Sequence, residues 1–392
     1  MSFDRALEIL AAQAAPLGRE FAALATVGGR RLAAPVVAGI DAPRRDCAAM
    51  DGYAVRSADL VAGITRFREA GTSFAGTATM GELRRGDAWR IMTGAALPDG
   101  ADRVVMIERC QAWAEGIEVD ADPAGKPHVR LQGSDFRAGD VLLHPGALLT
   151  PAALVAAAAA DVGRVELWRQ PNVLLLSTGD EIAAPGTARS RSHLVPDSLG
   201  AAIAHLCRSA GAVAPSLLRV GDAPDLIAGA CAATDCDVIV VIGGASRGDR
   251  DHGRAALASI GLDMAFADVA MKPGKPAWYG RLDTRHVIGL PGNPTAALTV
   301  ARLFLVPLIT GLSGGNAKSA LRWRMLGTRT PLQANGPRES FLCAEECIDG
   351  VAVFGDQDAS GQRRLARSTS LVRRPANAPA IASGSQVPTL DL

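Results

Sequence analysis

Aromatic side chains are scarce in this chain, 4% of its 392 residues, and no basic stretch interleaves with them. A groove that stacks single-stranded bases needs both features, so nucleic acid is not expected as a partner. Charge of one sign is also missing. The 41 Lys and Arg stand against 40 Asp and Glu, a formal net charge of +1, which leaves no global field to draw the protein to nucleic acid or a lipid surface. Any anion site has to be local. The seven cysteines are odd in number, scattered and without a CxxC pair, which argues against a disulfide framework or a zinc knuckle. The longest apolar stretch, 151–162, is alanine-rich and too short to span a bilayer, so it is expected to be a packed helix. The start, MSFDRALEILAAQAA, lacks the basic and apolar regions of a signal peptide. The expectation is a soluble, cytoplasmic protein with no membrane association.

What is present is enough apolar material, 48% of residues, to bury real cores, in a chain long enough for two to four domains. Residues 3–14 carry Phe3, Ala6, Leu7 and Leu10 at helical spacing, and Gly28 and Gly29 break the pattern before a short extended run at 32–40. Residues 1–40 with 140–170 are therefore expected to form an elongated helical arm. Between them, 41–139 is interrupted by Gly, Pro or Asp every six to twelve residues and contains alternating runs such as 103–107, the pattern of a β-rich insert. In 171–318, strand-like runs at 173–176, 238–242 and 287–290 each end in a glycine-containing turn with helix-patterned segments between them, which predicts an α/β domain with a largely parallel sheet. Residues 319–392 turn polar and strand-like, as a small C-terminal β-barrel would be.

In a parallel sheet, ligands sit beyond the carboxyl ends of the strands, so the three turns should converge on one site. In Ser177-Thr178-Gly179-Asp180-Glu181, two adjacent carboxylates have the chemistry to hold a divalent cation or orient water; an ordinary helix-capping turn has the same composition. Gly243-Gly244-Ala245-Ser246-Arg247-Gly248-Asp249-Arg250-Asp251 lets backbone N–H groups approach an anion, with Asp249 and Asp251 available to place a metal, although it is neither a dinucleotide nor a P-loop pattern. Its alternative is a tight structural loop. Lys272-Pro273-Gly274-Lys275-Pro276 sets two ammonium groups on a proline-stiffened turn suited to an oxyanion, or else two solvated surface lysines. Leu290-Pro291-Gly292-Asn293-Pro294 ends a strand and precedes a helix-like run at 295–306, so it can offer a helix N-terminus to an anion or be a plain strand-to-helix turn. Upstream, Met50-Asp51-Gly52-Tyr53-Ala54, Thr93-Gly94-Ala95 and Arg130 with Asp135 form a second polar set in the insert.

Together and in order, DAPRRDCAAMDGYAV, IMTGAALPDGADRVVMIE, LLLSTGDEI, VIGGASRGDRD, MKPGKPAWYG and VIGLPGNPTAAL resemble the successive signature blocks of the molybdopterin molybdenumtransferases, a family that includes the C-terminal domain of gephyrin. The resemblance runs from about residue 3 to residue 361. It implies an elongated homodimer of four-part subunits, with a molybdopterin-binding α/β domain, and an active cleft built from the α/β domain of one subunit and the insert of the other. It implies a reaction in which adenylylated molybdopterin and molybdate, with magnesium or another divalent cation, yield AMP and molybdenum on the dithiolene sulfurs. Carried over position by position, Asp51, Asp135, Glu181, Asp222 and Asp251 are the expected catalytic acids, of which Asp51, Glu181 and Asp251 would hold the metal. Thr93, Arg130, Gly243, Gly244, Ser246, Lys272, Lys275, Pro291, Gly292, Asn293 and Pro294 would bind substrate. Molybdopterin adenylyltransferase and molybdoenzyme apoproteins or their chaperones are the implied partners.

The chain departs from the family pattern at Cys47-Ala48 (usually Asn-Ser), Leu199 (Asn), Asp268 (a basic residue), Ala296 (a hydroxyl residue) and Cys343 (Arg). The losses at Cys47, Ala48 and Ala296 define the rival expectation, a binding or carrier protein that keeps the pterin pocket without molybdate insertion. An adenylyltransferase would share the α/β domain, but the insert and the terminal barrel argue against it.

Overall fold

The computed structural model describes residues 1–77, 81–243 and 252–392. At its centre is a six-stranded sheet in the order Ser216–Val220, Val173–Thr178, Val238–Ile242, Arg285–Leu290, Trp278–Leu282, Asp263–Ala267. The first four strands are parallel, and Trp278–Leu282 runs antiparallel to both of its neighbours. Val173–Thr178 and Val238–Ile242 are buried along their whole length, as strands covered on both faces must be. Their side chains divide by the two-residue period of the strand. Val173, Leu175, Val238, Val240 and Ile242 face one core, and Leu174, Leu176, Ile239 and Val241 the other.

The first of those cores is closed by Phe3–Gln13 and by a long helical run through 294–312. Its apolar span Pro294–Leu312 is longer than the run at 151–162 and meets the length and composition of a membrane span, but 83% of it is buried inside the protein. It also exceeds the expected helix at 295–306. Pro307 cannot donate a backbone hydrogen bond, and the turn Ala301–Leu305 widens to π-helical geometry just before it, so the helix continues instead of ending.

Phe3–Gln13 has the predicted buried face of Phe3, Ala6, Leu7 and Leu10. Phe3 lies with its ring 5.4 Å from that of Phe304 and 5.0 Å from that of Phe341, which joins the α/β layer to the C-terminal domain. In the arm, Arg19–Ala23 pairs with Arg164–Trp168 and Val36–Val37 with Val141–Leu143, around the helix Pro151–Ala159. The insert is a second six-stranded sheet, Arg103–Met106, Gly52–Val55, Asp87–Ile91, Arg66–Ser73, Gly116–Val119, Cys110–Trp113. The C-terminal strands Gly350–Val353, Glu339–Cys347, Ser370–Arg374, Gln386–Asp391 and Arg324–Gly327 run side by side, and a bridge from Thr328 to Val351 closes them into a small barrel. Met271–Lys272 adds to its edge beside Glu339 and Ser340.

Candidate functional site

A cavity of about 770 Å³ opens at the carboxyl ends of the parallel strands, a size suited to a cofactor-like ligand. Ser177, Thr178, Gly179 and Glu181 line it from the first turn, Gly243 from the second, and Pro291, Gly292, Asn293 and Pro294 from the third. The last two turns touch: a Cβ added at Gly292 would lie 3.8 Å from the Gly243 Cα. Gly243 has φ +91°, and a Cβ there would come within 3.0 Å of the Thr178 carbonyl, so glycine is needed for both conformation and space.

Asp222 lines the same cavity, positioned by its backbone N–H donating to Asp180 Oδ1 at 3.2 Å. Asp197 and Ser198, for which the sequence suggested no role, line it as well. Asp197 is 5% exposed and accepts four hydrogen bonds: from Ser177 Oγ (3.1 Å), Arg219 Nε (3.0 Å), and the N–H groups of Leu199 (3.3 Å) and Gly200 (2.9 Å). It thereby ties strand, helix start and neighbouring strand into one rigid corner. Leu199 is buried in the core and offers no cap, and Asp197 caps Gly200–Ala210 instead. An Asp three residues before a helix is a legible signal for this role. Gln362, which reaches the cavity from the C-terminal domain, has no such local signal.

The lining carries Glu181, Asp197 and Asp222 and no Lys or Arg among the described residues. Arg219 offsets Asp197, which leaves two carboxylates facing a cavity whose backbone suits phosphate. Hard carboxylate oxygens are the donors that a magnesium-like cation takes. Among the described residues no three His, Cys, Asp or Glu side chains converge as a metal site. Gly244, Ser246, Asp249 and Asp251 lie outside the described residues.

The expected helix N-terminus is partly used. The Thr295 N–H donates to the Ala359 carbonyl at 3.0 Å, and Pro294 has no N–H to offer. Lys272 and Lys275 are exposed and neither lines this cavity, although Pro276 does. Lys272, drawn to the barrel edge by its strand pairing, lines a separate groove of about 400 Å³ with Gln357 and Arg374.

The insert residues gather elsewhere on the same chain. Asp51 Oδ1 accepts from the Thr93 N–H at 2.6 Å and the Thr93 hydroxyl at 2.7 Å, and these bonds, the hydroxyl's first, hold the Asp51 carboxyl below its ordinary value. Gly52 is fixed by close approach, since a Cβ there would meet the Val105 carbonyl oxygen at 1.9 Å. Arg130 stands beside Cys47 in the pair Val129–Arg130 with Cys47–Ala48, and the Gly94 N–H donates to the Ala48 carbonyl at 2.9 Å, so these segments lie side by side. Asp135 is anchored by its N–H to the Ala42 carbonyl at 3.0 Å. None of Asp51, Thr93, Arg130 or Asp135 lines the α/β cavity of its own chain.

Of the departures, Cys47, Ala48, Ala296 and Cys343 are buried, and apolar or weakly polar side chains suit those positions. Asp268 adopts a left-handed φ of +56°, which Asp tolerates better than most residues.

Residues 1–161 match the MoeA N-terminal region (domain I and II), and residues 174–311 match a probable molybdopterin binding domain. The molybdopterin molybdenumtransferase of Haemophilus influenzae is 35% identical over 76% of this chain and 74% of its own length. That of Nostoc sp. is 32% identical over 95% and 88%, and molybdopterin molybdenumtransferase 2 of Mycobacterium tuberculosis is 31% identical over 93% of each. The solved molybdopterin biosynthesis MoeA protein of Pyrococcus horikoshii superposes with a TM-score of 0.83 at 26% identity, over 100% of this chain and 98% of that one. With identity above 30% across most of both chains, and family models matching 1–161 and 174–311, this chain belongs to the molybdopterin molybdenumtransferases, enzymes of molybdenum cofactor biosynthesis.

Proposed function

We propose that the α/β cavity binds adenylylated molybdopterin and that the protein inserts molybdenum from molybdate into its dithiolene with release of AMP. The observation that carries this reading is the convergence of three glycine-containing turns and two carboxylates at the strand ends. The turns bring backbone close to the phosphates, and Glu181 and Asp222 would hold a divalent cation, magnesium or another. That cation would shield the phosphate charge from the carboxylates. Asp197 keeps Ser177 and the helix start fixed while substrate binds. Water attacks the phosphoanhydride bond and AMP leaves, while the two dithiolene thiols give up their protons and displace one molybdate oxygen as water, so that molybdenum remains on the two sulfurs.

The working unit in this reading is a homodimer in the cytoplasm. Asp51, Thr93, Arg130 and Asp135 of one subunit complete the cavity of the other, which accounts for their exposed placement away from their own. Lys272 and Lys275 take part at the rim of that cleft, facing the oxyanion. An adenylyltransferase supplies the substrate, and molybdoenzyme apoproteins or their chaperones accept the product.

Chelation should abolish AMP release and added magnesium restore it. Unchanged release in excess chelator would remove the cation. Tight molybdopterin binding with no AMP release under any metal would favour the carrier reading, for which the losses at Cys47, Ala48 and Ala296 are the motivation.

A further inference from the structure

A second polar cavity, about 240 Å³, lies between the arm and the α/β domain and shares no lining residue with the first. Its wall carries three guanidinium groups, Arg30, Arg31 and Arg322, and no Asp or Glu. Arg30 is held by an ion pair to Glu20 and by donation to the Trp168 carbonyl at 2.8 Å, yet its Nε is buried without an acceptor. Arg31 donates to the Gly146 carbonyl at 3.0 Å, and among the described residues neither Arg31 nor Arg322 has an ion pair. Burial first, and then the charge of Arg322, push the Arg31 guanidinium down from its ordinary value, so the two cations act on each other across this wall.

The surroundings favour a negative guest. Gly315 leaves room for the guanidinium, since a Cβ there would sit 2.7 Å from Arg31 Nε. The carbonyl of Gly211, which would repel an anion, already accepts from Gln170 Nε2 at 3.0 Å. Like charges gathered at a half-buried wall are unfavourable until an anion stands between them, and the guanidinium fork matches oxyanion geometry.

We propose that this cavity binds a tetrahedral oxyanion of the phosphate or molybdate class, clamped between Arg31 and Arg322. The site is independent of the catalytic reading, because it shares no residue with the first cavity.

The test is calorimetric titration of the full chain with sodium phosphate and, separately, sodium molybdate, at ionic strength matched with chloride. Wild type is compared with Arg322→Ala and Arg322→Glu, both at an exposed position where the fold should persist. Losing one charge-assisted contact should weaken binding about ten- to a hundredfold in Arg322→Ala. In Arg322→Glu the new carboxylate should pair with Arg31, and phosphate should no longer raise Tm. The two titrations separate the anion sources, and crystals soaked in tungstate should show anomalous density between Arg31 and Arg322. Unchanged affinity and Tm response in Arg322→Glu, or tungstate confined to the first cavity, would overturn the proposal.

Discussion

Replacing Asp197 with alanine removes the group that holds one wall of the cavity together. Its carboxylate is 5% exposed and takes four hydrogen bonds, one from a guanidinium. Breaking a buried ion pair from one side costs about 3 to 5 kcal/mol, and losing a helix cap about 1 kcal/mol. The Arg219 side chain is 31% exposed, so water takes over part of its solvation and the lower end applies, roughly 4 kcal/mol in all with the cap. Asp197→Asn keeps an acceptor for the Gly200 N–H and should lose about half as much. Urea unfolding measures the loss. Amide exchange should place it at Val173–Thr178 and Gly200–Ala210, and a double-mutant cycle with Arg219→Ala should return a coupling of about 1 kcal/mol or more. A loss for Asp197→Ala below about 1 kcal/mol, or a coupling near zero, would refute the view of Asp197 as the corner that rigidifies the cavity.

Burial and the nearby Arg281 push His286 down to about 4 from an ordinary 6.5. The unfolded chain therefore binds more protons between those values, and stability should fall as pH drops from about 6.5 to about 4, by roughly 2 kcal/mol already at pH 5. His286→Gln should flatten that part of the urea-midpoint profile, and an unaltered slope would assign the proton elsewhere. Removing the hydroxyl in Thr93→Val should let the Asp51 carboxyl rise toward its ordinary value, followed by NMR titration, with no change if the hydroxyl is not the main cause. Mixing Asp51→Ala with Glu181→Ala protein should restore AMP release through hybrid dimers in which one cleft is whole. No recovery in verified heterodimers would place the site within one chain.

The parallel sheet was legible in the sequence because its inner strands are unbroken apolar runs, such as 238–242, that end in glycine turns. The third turn was legible too, but the use of its N-terminal N–H by Ala359 was not, since that carbonyl comes from another domain 64 residues downstream. The same limit hid Gln362. Lys272 illustrates a different one: its charge and proline neighbours point to an anion, whereas its position follows from pairing with Glu339–Cys347, a non-local contact that local composition does not encode. Gly52, beside Asp51, is a strand glycine pressed against the Val105 carbonyl, a close approach that only the pairing of distant strands creates. Asp197 was within reach, because an acid just ahead of an apolar helix is a recognisable cap.

The most direct test is AMP release from adenylylated molybdopterin with molybdate, measured together with molybdenum bound to the pterin, for wild type, Glu181→Gln and Asp222→Asn. The cavity account predicts one AMP for each molybdenum incorporated by wild type. It predicts strongly slowed turnover in both variants, with melting curves unchanged because both carboxylates face the cavity outside any core. Wild-type turnover in both variants, or AMP release without molybdenum on the pterin, would contradict it.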